Sequence, residues 1–127
     1  MRRVFVLEDD QERQDWFLKR FFGHTVDIAV SVAEGLTLLK TNRYDTIFLD
    51  HDLEFHHYGS NERDDETTGY AVAGYLAQNP RKQPNALVVV HSMNPSGSRR
   101  MLDVLRDHGI NARQLPFPQL KRAPITM

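Results

Sequence analysis

Cysteine is absent from this sequence of 127 residues. Its absence excludes a disulfide framework, a thiolate metal site and a thiol nucleophile, and it is typical of proteins in a reducing compartment. We therefore expect a cytoplasmic protein. An excess of one charge is also missing, because 16 basic and 17 acidic residues give a formal net charge of -1. No overall field favours bulk nucleic acid or an anionic membrane, so any anion site should be local.

Long hydrophobic runs, internal repeats and low-complexity segments are missing as well. The N-terminal apolar run covers only residues 4–7 and carboxylates follow it, which is the pattern of neither a signal peptide nor a membrane span. With 40% hydrophobic and 26% charged residues, the composition is that of a folded globular protein. At this length one core is enough, and we predict a single domain over residues 1–127.

Short apolar runs alternate with amphipathic segments along the chain. The runs at residues 4–7, 24–30, 44–50, 86–90 and 112–117 are predicted strands. Predicted helices cover residues 11–22, a segment that follows an N-cap at Ser31 and is closed by Thr41 and Asn42, a segment through residue 79 after a cap at Thr67 or Thr68, and residues 96–108 after Asn94. This alternation predicts an α/β fold in which helices cover both faces of a five-stranded parallel sheet.

Polar residues directly follow three of the predicted strands. In parallel α/β sheets, ligands bind beyond the carboxyl ends of the strands, so these residues are predicted to meet at one pocket. They are Glu8 and Asp9 after the first strand, Asp50, His51 and Asp52 after the third, and His91 and Ser92 after the fourth.

Three of these stretches resemble the receiver domains of bacterial response regulators. "VFVLEDD" resembles their first strand, "YDTIFLD" their third and "VVVHSM" their fourth. The resemblance implies a flavodoxin-like three-layer sandwich, with Glu8 and Asp9 as magnesium ligands and Asp50 as the phosphoacceptor. It also implies that the hydroxyl of Ser92 contacts the phosphoryl group. Receiver domains carry a lysine before the proline that ends their fifth strand, whereas this chain has Leu115 there.

A narrower resemblance covers residues 49–102. "LDHDL", "TTGYAV" and "VVVHSMNPSGSRRM" are similar to cyclic-phosphate processing receiver domains, a divergent branch of the receiver superfamily. The resemblance implies a metal-dependent phosphoesterase that acts on a cyclic phosphate, carried by a small molecule or a nucleotide. Two alternatives stay open: a stand-alone receiver phosphorylated at Asp50, and a non-catalytic module that binds a ligand. Residues 54–66, with His56 and His57, form a longer loop than this branch has, and its length suits an active-site lid.

Three carboxylates form the predicted metal site. If Glu8, Asp9 and Asp50 converge, they offer hard oxygen ligands suited to magnesium or manganese. Without a cation they would repel one another and raise one another's pKa. In the alternative interpretation, Glu8 and Asp9 only cap the first helix and Asp50 begins a turn.

His51, His91 and Asp52 are the predicted catalytic residues. An imidazole at a strand end can bind a metal or carry a proton. In an extended strand, Asp50 and Asp52 share one side and His51 lies on the other, so both histidines reach one point only if the strands bend. In the alternative interpretation they are hydrogen-bonded structural residues.

Ser92, Asn94 and Arg99 are the predicted phosphate-binding residues. They surround the start of the helix at residues 96–108, where backbone N–H groups favour an anion and an arginine can add charge-assisted bonds. The alternative is a capped helix with a solvated basic face.

Overall fold

Strands and helices alternate along the chain in a computed structural model, which describes residues 2–53 and 68–123. The strands are β1 (Arg3–Leu7), β2 (Thr25–Ala29), β3 (Thr46–Leu49), β4 (Leu87–Val90) and β5 (Ala112–Gln114). The helices are α1 (Gln11–Arg20), α2 (Val32–Thr41), α3 (Gly69–Gln78), α4 (Pro95–Asp107) and α5 (Phe117–Leu120).

The five strands form one parallel sheet in the order β2-β1-β3-β4-β5. The predicted α/β fold with a five-stranded parallel sheet is therefore confirmed. The chain runs outward from β1 to β2 and then returns across β1 to β3, so the direction of winding reverses between β1 and β3. This reversal opens a crevice at the carboxyl edge of the sheet, by which we mean the edge where the parallel strands end.

The register of the sheet brings the ends of three strands level. Leu7 pairs with Leu49 and Leu49 pairs with Val90, so the next residues along the chain are Glu8, Asp50 and His91. The backbone N–H of Asp50 donates to Leu7 O, and that of His91 donates to Leu49 O. Three polar residues that are far apart in sequence therefore occupy equivalent positions on adjacent strands.

Alternation along the strands divides the apolar residues between the two faces of the sheet. One cluster joins Phe5, Leu7 and Ile47 to buried residues of α2, α3 and α4, and the other joins Val4, Val6 and Phe48 to buried residues of α1 and α5. Each large side chain buried in this way stabilises the fold by about 1.5 to 3 kcal/mol. The result is a three-layer arrangement with helices on both faces.

Side-chain caps fix the starts of three helices. Asp10 accepts from Arg13 N at α1, Ser31 accepts from Glu34 N at α2, and Asn94 accepts from Gly97 N at α4. The predicted caps at Ser31 and Asn94 are confirmed. Thr68 occupies the N-cap position of α3 without a capping bond from its side chain.

The predicted element bounds differ from the structure mainly near β3 and β5. The strand predicted over residues 44–50 is limited to Thr46–Leu49, because Tyr44 N donates to the side chain of Gln83 instead of to a neighbouring strand. The strand predicted over residues 112–117 ends at Gln114, and residues 117–120 form the unpredicted helix α5. Pro116, which has no N–H for a ladder bond, separates the two. In the described part of the chain, no helix is long and apolar enough to cross a membrane.

Candidate functional site

A pocket of about 320 Å³ opens at the carboxyl edge, above β3 and β4. Seven residues line it: Arg13, Asp50, Asp52, His91, Ser92, Met93 and Asn94. A larger cavity of about 650 Å³ lies at the opposite edge, and its lining contains neither a carboxylate nor a histidine. The smaller pocket therefore carries the titratable groups that acid-base or metal chemistry needs.

Glu8 lies buried beside this pocket, and its carboxylate is held by the side chains of Arg13 and His91 and by the backbone N–H of Asp10, which donates to Oε2 at 3.1 Å. Its Oε1 accepts from Arg13 Nε at 2.9 Å and lies 2.9 Å from His91 Nε2, and its Oε2 accepts from Arg13 Nη2 at 3.2 Å. Burial acts to raise the pKa of Glu8, but the hydrogen bonds and charges of His91 and Arg13 outweigh it and lower that pKa. Glu8 is therefore an ionised anchor for both side chains.

Arg13 is the site residue that sequence reasoning missed. It lies in the first turn of α1, three residues after the cap Asp10, and points back over the end of β1 toward Glu8. Its Nη2 also lies 3.9 Å from Asp50 Oδ2. A cation in the first turn opposes the helix dipole, which favours anions there. That local conflict was the available signal that Arg13 has a partner outside its own helix.

Asp50 is buried beside both charges of this network. Its Oδ1 accepts from His51 N at 2.8 Å, and Arg13 approaches its other oxygen only to 3.9 Å. Burial raises the pKa of Asp50 to about 7, the charge of Glu8 adds to the rise, and His91 and Arg13 oppose it. The neighbouring positive charge is therefore too small to offset the effect of burial on this carboxylate.

Glu8, Asp50 and His91 form the group that can hold a metal among the described residues. One ligand atom from each lies within 4.8 Å of the others, and all three side chains are buried. Two of the three predicted ligands therefore come together, and His91 completes the group. Asp9, the other predicted ligand, is partly buried and lies outside both this group and the pocket lining.

His91 lies at the centre of the network. Its Nε2 is bonded to Glu8, while its buried Nδ1 has no hydrogen-bond partner among the described residues. The ring of Phe17 lies 5.2 Å from the imidazole, edge to face, and fixes its orientation from the apolar side. A buried ring nitrogen without a partner in a pocket-lining residue is available for a ligand or a proton.

His51 lies on the other side of the chain from this centre. Its Nδ1 is 2.8 Å from Asp52 Oδ1, and its ring is buried outside the pocket lining. A Cβ at Gly97 would meet this ring at 2.7 Å, so the start of α4 packs directly on the imidazole. The structure therefore places Asp52 at the pocket and His51 behind it, as strand alternation indicated.

Gly69 holds the turn after β3 on its other side. Its N–H donates to His51 O at 2.8 Å, and a Cβ there would lie 1.7 Å from the carbonyl oxygen of Asp50. Only a residue without a side chain lets α3 begin this close to β3. The backbone that carries Asp50, His51 and Asp52 is therefore clamped between α3 and α4.

The start of α4 offers fewer backbone donors than its sequence suggests. Asn94 N donates to Ser92 Oγ at 3.0 Å, and Asn94 Oδ1 takes the N–H of Gly97. Pro95 has no N–H, which leaves Ser96 as the first-turn donor that the cap does not use. Asn94 Nδ2 lies 3.4 Å from Asp52 Oδ1, so this side chain also joins the cap to the carboxylate.

Arg99, the predicted phosphate contact, faces away from the pocket. Its side chain is 75% exposed and its Nε donates to Asp103 Oδ1 at 3.2 Å, one turn further along α4. The cation at the pocket is Arg13 instead. The buried face of α4 carries Met101, Leu102 and Leu105, and that periodicity already indicated that position 99 faces solvent.

Leu115 occupies the position at which the resemblance to receiver domains implies a lysine. Its N–H donates to Val90 O at 2.9 Å, and its side chain packs against the apolar cluster under α1 and α5. It does not line the pocket. His56 and His57, considered for a lid, lie outside the described residues.

Solved structures of similar shape are receiver domains. The response regulator TrrA from Thermotoga maritima, solved in complex with Mg²⁺-BeF, has 17% sequence identity and a TM-score of 0.67, and the match covers 96% of this chain and 95% of that one. The CheY-like receiver domain from Methanospirillum hungatei JF-1 has 17% identity and a TM-score of 0.63, with 93% and 82% covered. The Francisella response regulator 1452 receiver domain has 18% identity and a TM-score of 0.63, with 94% and 86% covered. At these identities the likeness confirms the CheY-like receiver fold.

Family membership comes from the sequence itself. No curated protein matches the chain significantly. A family model described as the cyclic-phosphate processing receiver domain matches residues 4–107, which is most of the chain and includes every residue of the pocket lining. The chain therefore belongs to the family of cyclic-phosphate processing receiver domains.

Proposed function

We propose that this receiver domain is a metal-dependent phosphoesterase that opens a cyclic phosphate. The observation that carries the proposal is the state of His91. Its Nε2 is bonded to the buried carboxylate of Glu8, and its Nδ1 is without a partner among the described residues, in a pocket shared with Asp50 and Arg13. A fixed imidazole beside a carboxylate and a cation is the equipment of proton transfer to or from a phosphate ester.

The donor set of the site fits a divalent cation. Glu8 and Asp50 would hold it, and when bound it would supply Lewis-acid polarisation of the phosphate, with His91 beside it for proton transfer. The complex of TrrA with Mg²⁺-BeF supports a divalent cation in a protein of this fold. Carboxylate oxygens suit both magnesium and manganese.

Arg13 competes with a metal for the same oxygens. Its guanidinium donates to both oxygens of Glu8, so Arg13 would have to give up at least one of these bonds if Glu8 held a cation. A released guanidinium would stay within reach of the pocket, because Arg13 lines it from the first turn of α1, and it can then pair with a phosphate oxygen. In this proposal Arg13 alternates between holding the empty site together and binding substrate.

Residues at the start of α4 bind the rest of the phosphate. Ser92 is buried at the pocket wall with its hydroxyl turned toward Asn94 N. The hydroxyl proton and the N–H of Ser96 are donors that a phosphate oxygen can take. Together with Arg13, these donors hold the negative charge that the phosphate carries as the ring opens.

The reaction requires two proton movements. The oxygen of a water molecule bonds to phosphorus and gives up a proton, the phosphorus–oxygen bond of the ring breaks, and the departing ester oxygen takes up a proton. We assign the first transfer to Asp52, whose carboxylate lines the pocket and is held by His51 and Asn94. We assign the second to His91, which Glu8 orients. His51 is then a positioning residue.

The test is a screen of cyclic phosphates with and without manganese or magnesium, read by phosphorus NMR as conversion of the ring to an open monoester. Nucleoside 2′,3′-cyclic and 3′,5′-cyclic monophosphates and a cyclic glycerol phosphate cover the substrate class. His91→Gln should lose turnover, and His108→Gln is the matched control, because the exposed side chain of His108 bonds to Val104 O of α4 and to no other described residue. Failure of the wild-type protein to open any of them with either metal would overturn the proposal.

A stand-alone receiver phosphorylated at Asp50 is the rival function. Asp50 follows β3 at the pocket floor beside a cation, which favours this rival. Against it, Leu115 packs into the core and supplies no charge to a phosphoryl group. Stable phosphorylation of Asp50 by a small phosphodonor would support the rival.

A further inference from the structure

We propose a second anion site at the amino edge of the sheet, the edge where the strands begin, with a small multiply phosphorylated anion as its ligand. The cavity of about 650 Å³ lies there, between the loop that follows α2 and the loop that follows α3. Its lining includes four cationic side chains and no carboxylate: Lys40, Arg43, Arg81 and Lys82. We call these four residues the basic basin.

Three of the four cations are without a side-chain partner in the part of the chain that the structure describes. Among residues 2–53 and 68–123, the side chains of Arg43, Arg81 and Lys82 make no hydrogen bond, ion pair or ring contact. All three are exposed. Lys40 lies with its Nζ 5.8 Å from the centre of the Tyr75 ring, which keeps it beside the cavity. In a chain with a net charge of -1, four cations without a carboxylate form a local positive field.

Helix capping does not account for these cations. Basic residues often collect at helix C-termini because they offset the dipole and bond the last carbonyls. Here amide side chains do that bonding: Asn42 Nδ2 donates to Leu38 O at 3.2 Å, and Asn79 Nδ2 donates to Tyr75 O at 2.9 Å. Because amide side chains already bond the last carbonyls of α2 and α3, the cationic groups are available for a ligand.

Gln83 makes the floor of the basin rigid. It is buried, its Oε1 accepts from Tyr44 N at 2.8 Å, and its Nε2 donates to Leu39 O and Asn42 O at 3.0 and 2.7 Å. This one side chain joins the loop after α3 to the loop after α2. The backbone that carries Arg43, Arg81 and Lys82 is therefore held in place before a ligand binds, which lowers the entropic cost of binding.

The size and charge of the basin select the ligand class. Four positive charges match the charge of a chain of two or three phosphates, and arginine guanidinium groups bind phosphate oxygens in pairs. A volume of about 650 Å³ is in the range of small-molecule sites. The shared chemistry is the phosphate chain, whether it is free or carried by a nucleoside. The site lies across the sheet from Asp50 and does not depend on the function proposed for that pocket.

The test is calorimetric titration of the full chain at low ionic strength with tripolyphosphate and with a nucleoside triphosphate. The triple variant Arg43→Gln, Arg81→Gln, Lys82→Gln should bind tripolyphosphate at least about tenfold more weakly, because three charges are lost from the site. The charge-matched control is Lys19→Gln, Arg113→Gln, Arg122→Gln, which removes three exposed cations from elsewhere on the surface. It should keep wild-type affinity, and all three proteins should melt alike.

Two comparisons distinguish a free phosphate chain from a nucleotide and the basic basin from the pocket at the carboxyl edge. Tripolyphosphate binding that equals nucleoside triphosphate binding supports a site for the phosphate chain, whereas binding of the nucleotide alone contradicts it. Amide NMR shifts on titration should be confined to residues 40–43 and 79–82, and shifts confined to residues 91–97 would place the anion at the other pocket and overturn the proposal. No binding by the wild type at millimolar ligand, or equal weakening in both triple variants, would also overturn it.

Discussion

His91 Nε2 lies 2.9 Å from Glu8 Oε1, and both side chains are buried. They are 83 positions apart in sequence, and the parallel register of β1, β3 and β4 brings them together. Because Glu8 is already bonded to Arg13, the carboxylate can orient the imidazole without being a free base itself. This pair gives the pocket a histidine with one nitrogen fixed and the other open.

Replacing His91 with glutamine should separate proton transfer from metal binding. If His91 carries the proton to the departing oxygen, turnover falls by about a hundredfold to ten-thousandfold while manganese affinity is kept within a few-fold. The measurements are turnover of the cyclic phosphate found by the screen and manganese titration by calorimetry. A parallel loss of affinity and turnover would make His91 a ligand, and unchanged turnover would make it structural.

Replacing Arg13 with glutamine should strengthen metal binding. The guanidinium occupies both oxygens of Glu8, so its removal frees ligands and removes a repelling charge. We expect the dissociation constant for manganese to fall roughly tenfold, equivalent to about 1.4 kcal/mol. Arg99→Gln is the control, since the exposed side chain of Arg99 bonds to Asp103 and to no other described residue. Unchanged or weaker manganese binding in Arg13→Gln would show that the cation does not enter this site.

Replacing Asp50 with asparagine should stabilise the metal-free protein at high pH. Its pKa is about 7 in the folded chain against an ordinary 3.8, so between these values the folded state keeps a proton that the unfolded state loses. The free energy of unfolding of the wild type therefore falls as pH rises from about 4 to 7.

At about pH 8 the variant should exceed the wild type by about 2 to 4 kcal/mol, since each pKa unit is worth about 1.4 kcal/mol. The difference should vanish below about pH 3, where the carboxyl group is protonated in both the folded and the unfolded state. Urea unfolding in the presence of a chelator measures it, with Asp103→Asn as the exposed control. A difference that does not change with pH would mean that the site already compensates the charge of Asp50.

Acetyl phosphate should label Asp50 poorly or not at all. A phosphoryl group on Asp50 would lack the lysine that receiver domains supply, because Leu115 is packed into the core. Intact-protein mass spectrometry measures the label, and Asp50→Asn is the control. Stoichiometric, stable labelling of the wild type that disappears in the variant would restore the signalling function.

The sequence predicts the fold well because strand runs and strand-end residues are local signals. Apolar runs that stop at Glu8, Asp50 and His91 indicate both the strands and the edge where a pocket opens. What depends on tertiary contacts is not visible in this way. Tyr44 leaves the strand because a distant side chain, Gln83, takes its N–H, and no local pattern indicates that bond.

Inside the site, too, local patterns can be predicted from the sequence and tertiary contacts cannot. Alternation indicated that His51 turns away from Asp50, and the periodicity of α4 indicated that Arg99 faces solvent, so both placements could be anticipated. The conflict with the helix dipole indicated a partner for Arg13 outside α1, but the identity of that partner, Glu8, depends on the angle at which α1 leaves β1. The replacement of Asp9 by His91 in the metal-binding group likewise follows from strand order, which alternation alone does not determine.

Gly69 and Gly97, which lie on either side of the turn after β3, should tolerate few substitutions. A side chain at position 69 would collide with backbone at Asp50, and one at position 97 would collide with the buried ring of His51, whereas nothing lies within 4 Å of a Cβ at Gly74. In a saturation-mutagenesis library, positions 69 and 97 would thus tolerate as little variation as a catalytic residue does, although neither contributes a side chain. In this protein, the positions that do not tolerate substitution should therefore include residues that pack around the pocket as well as residues that take part in its chemistry.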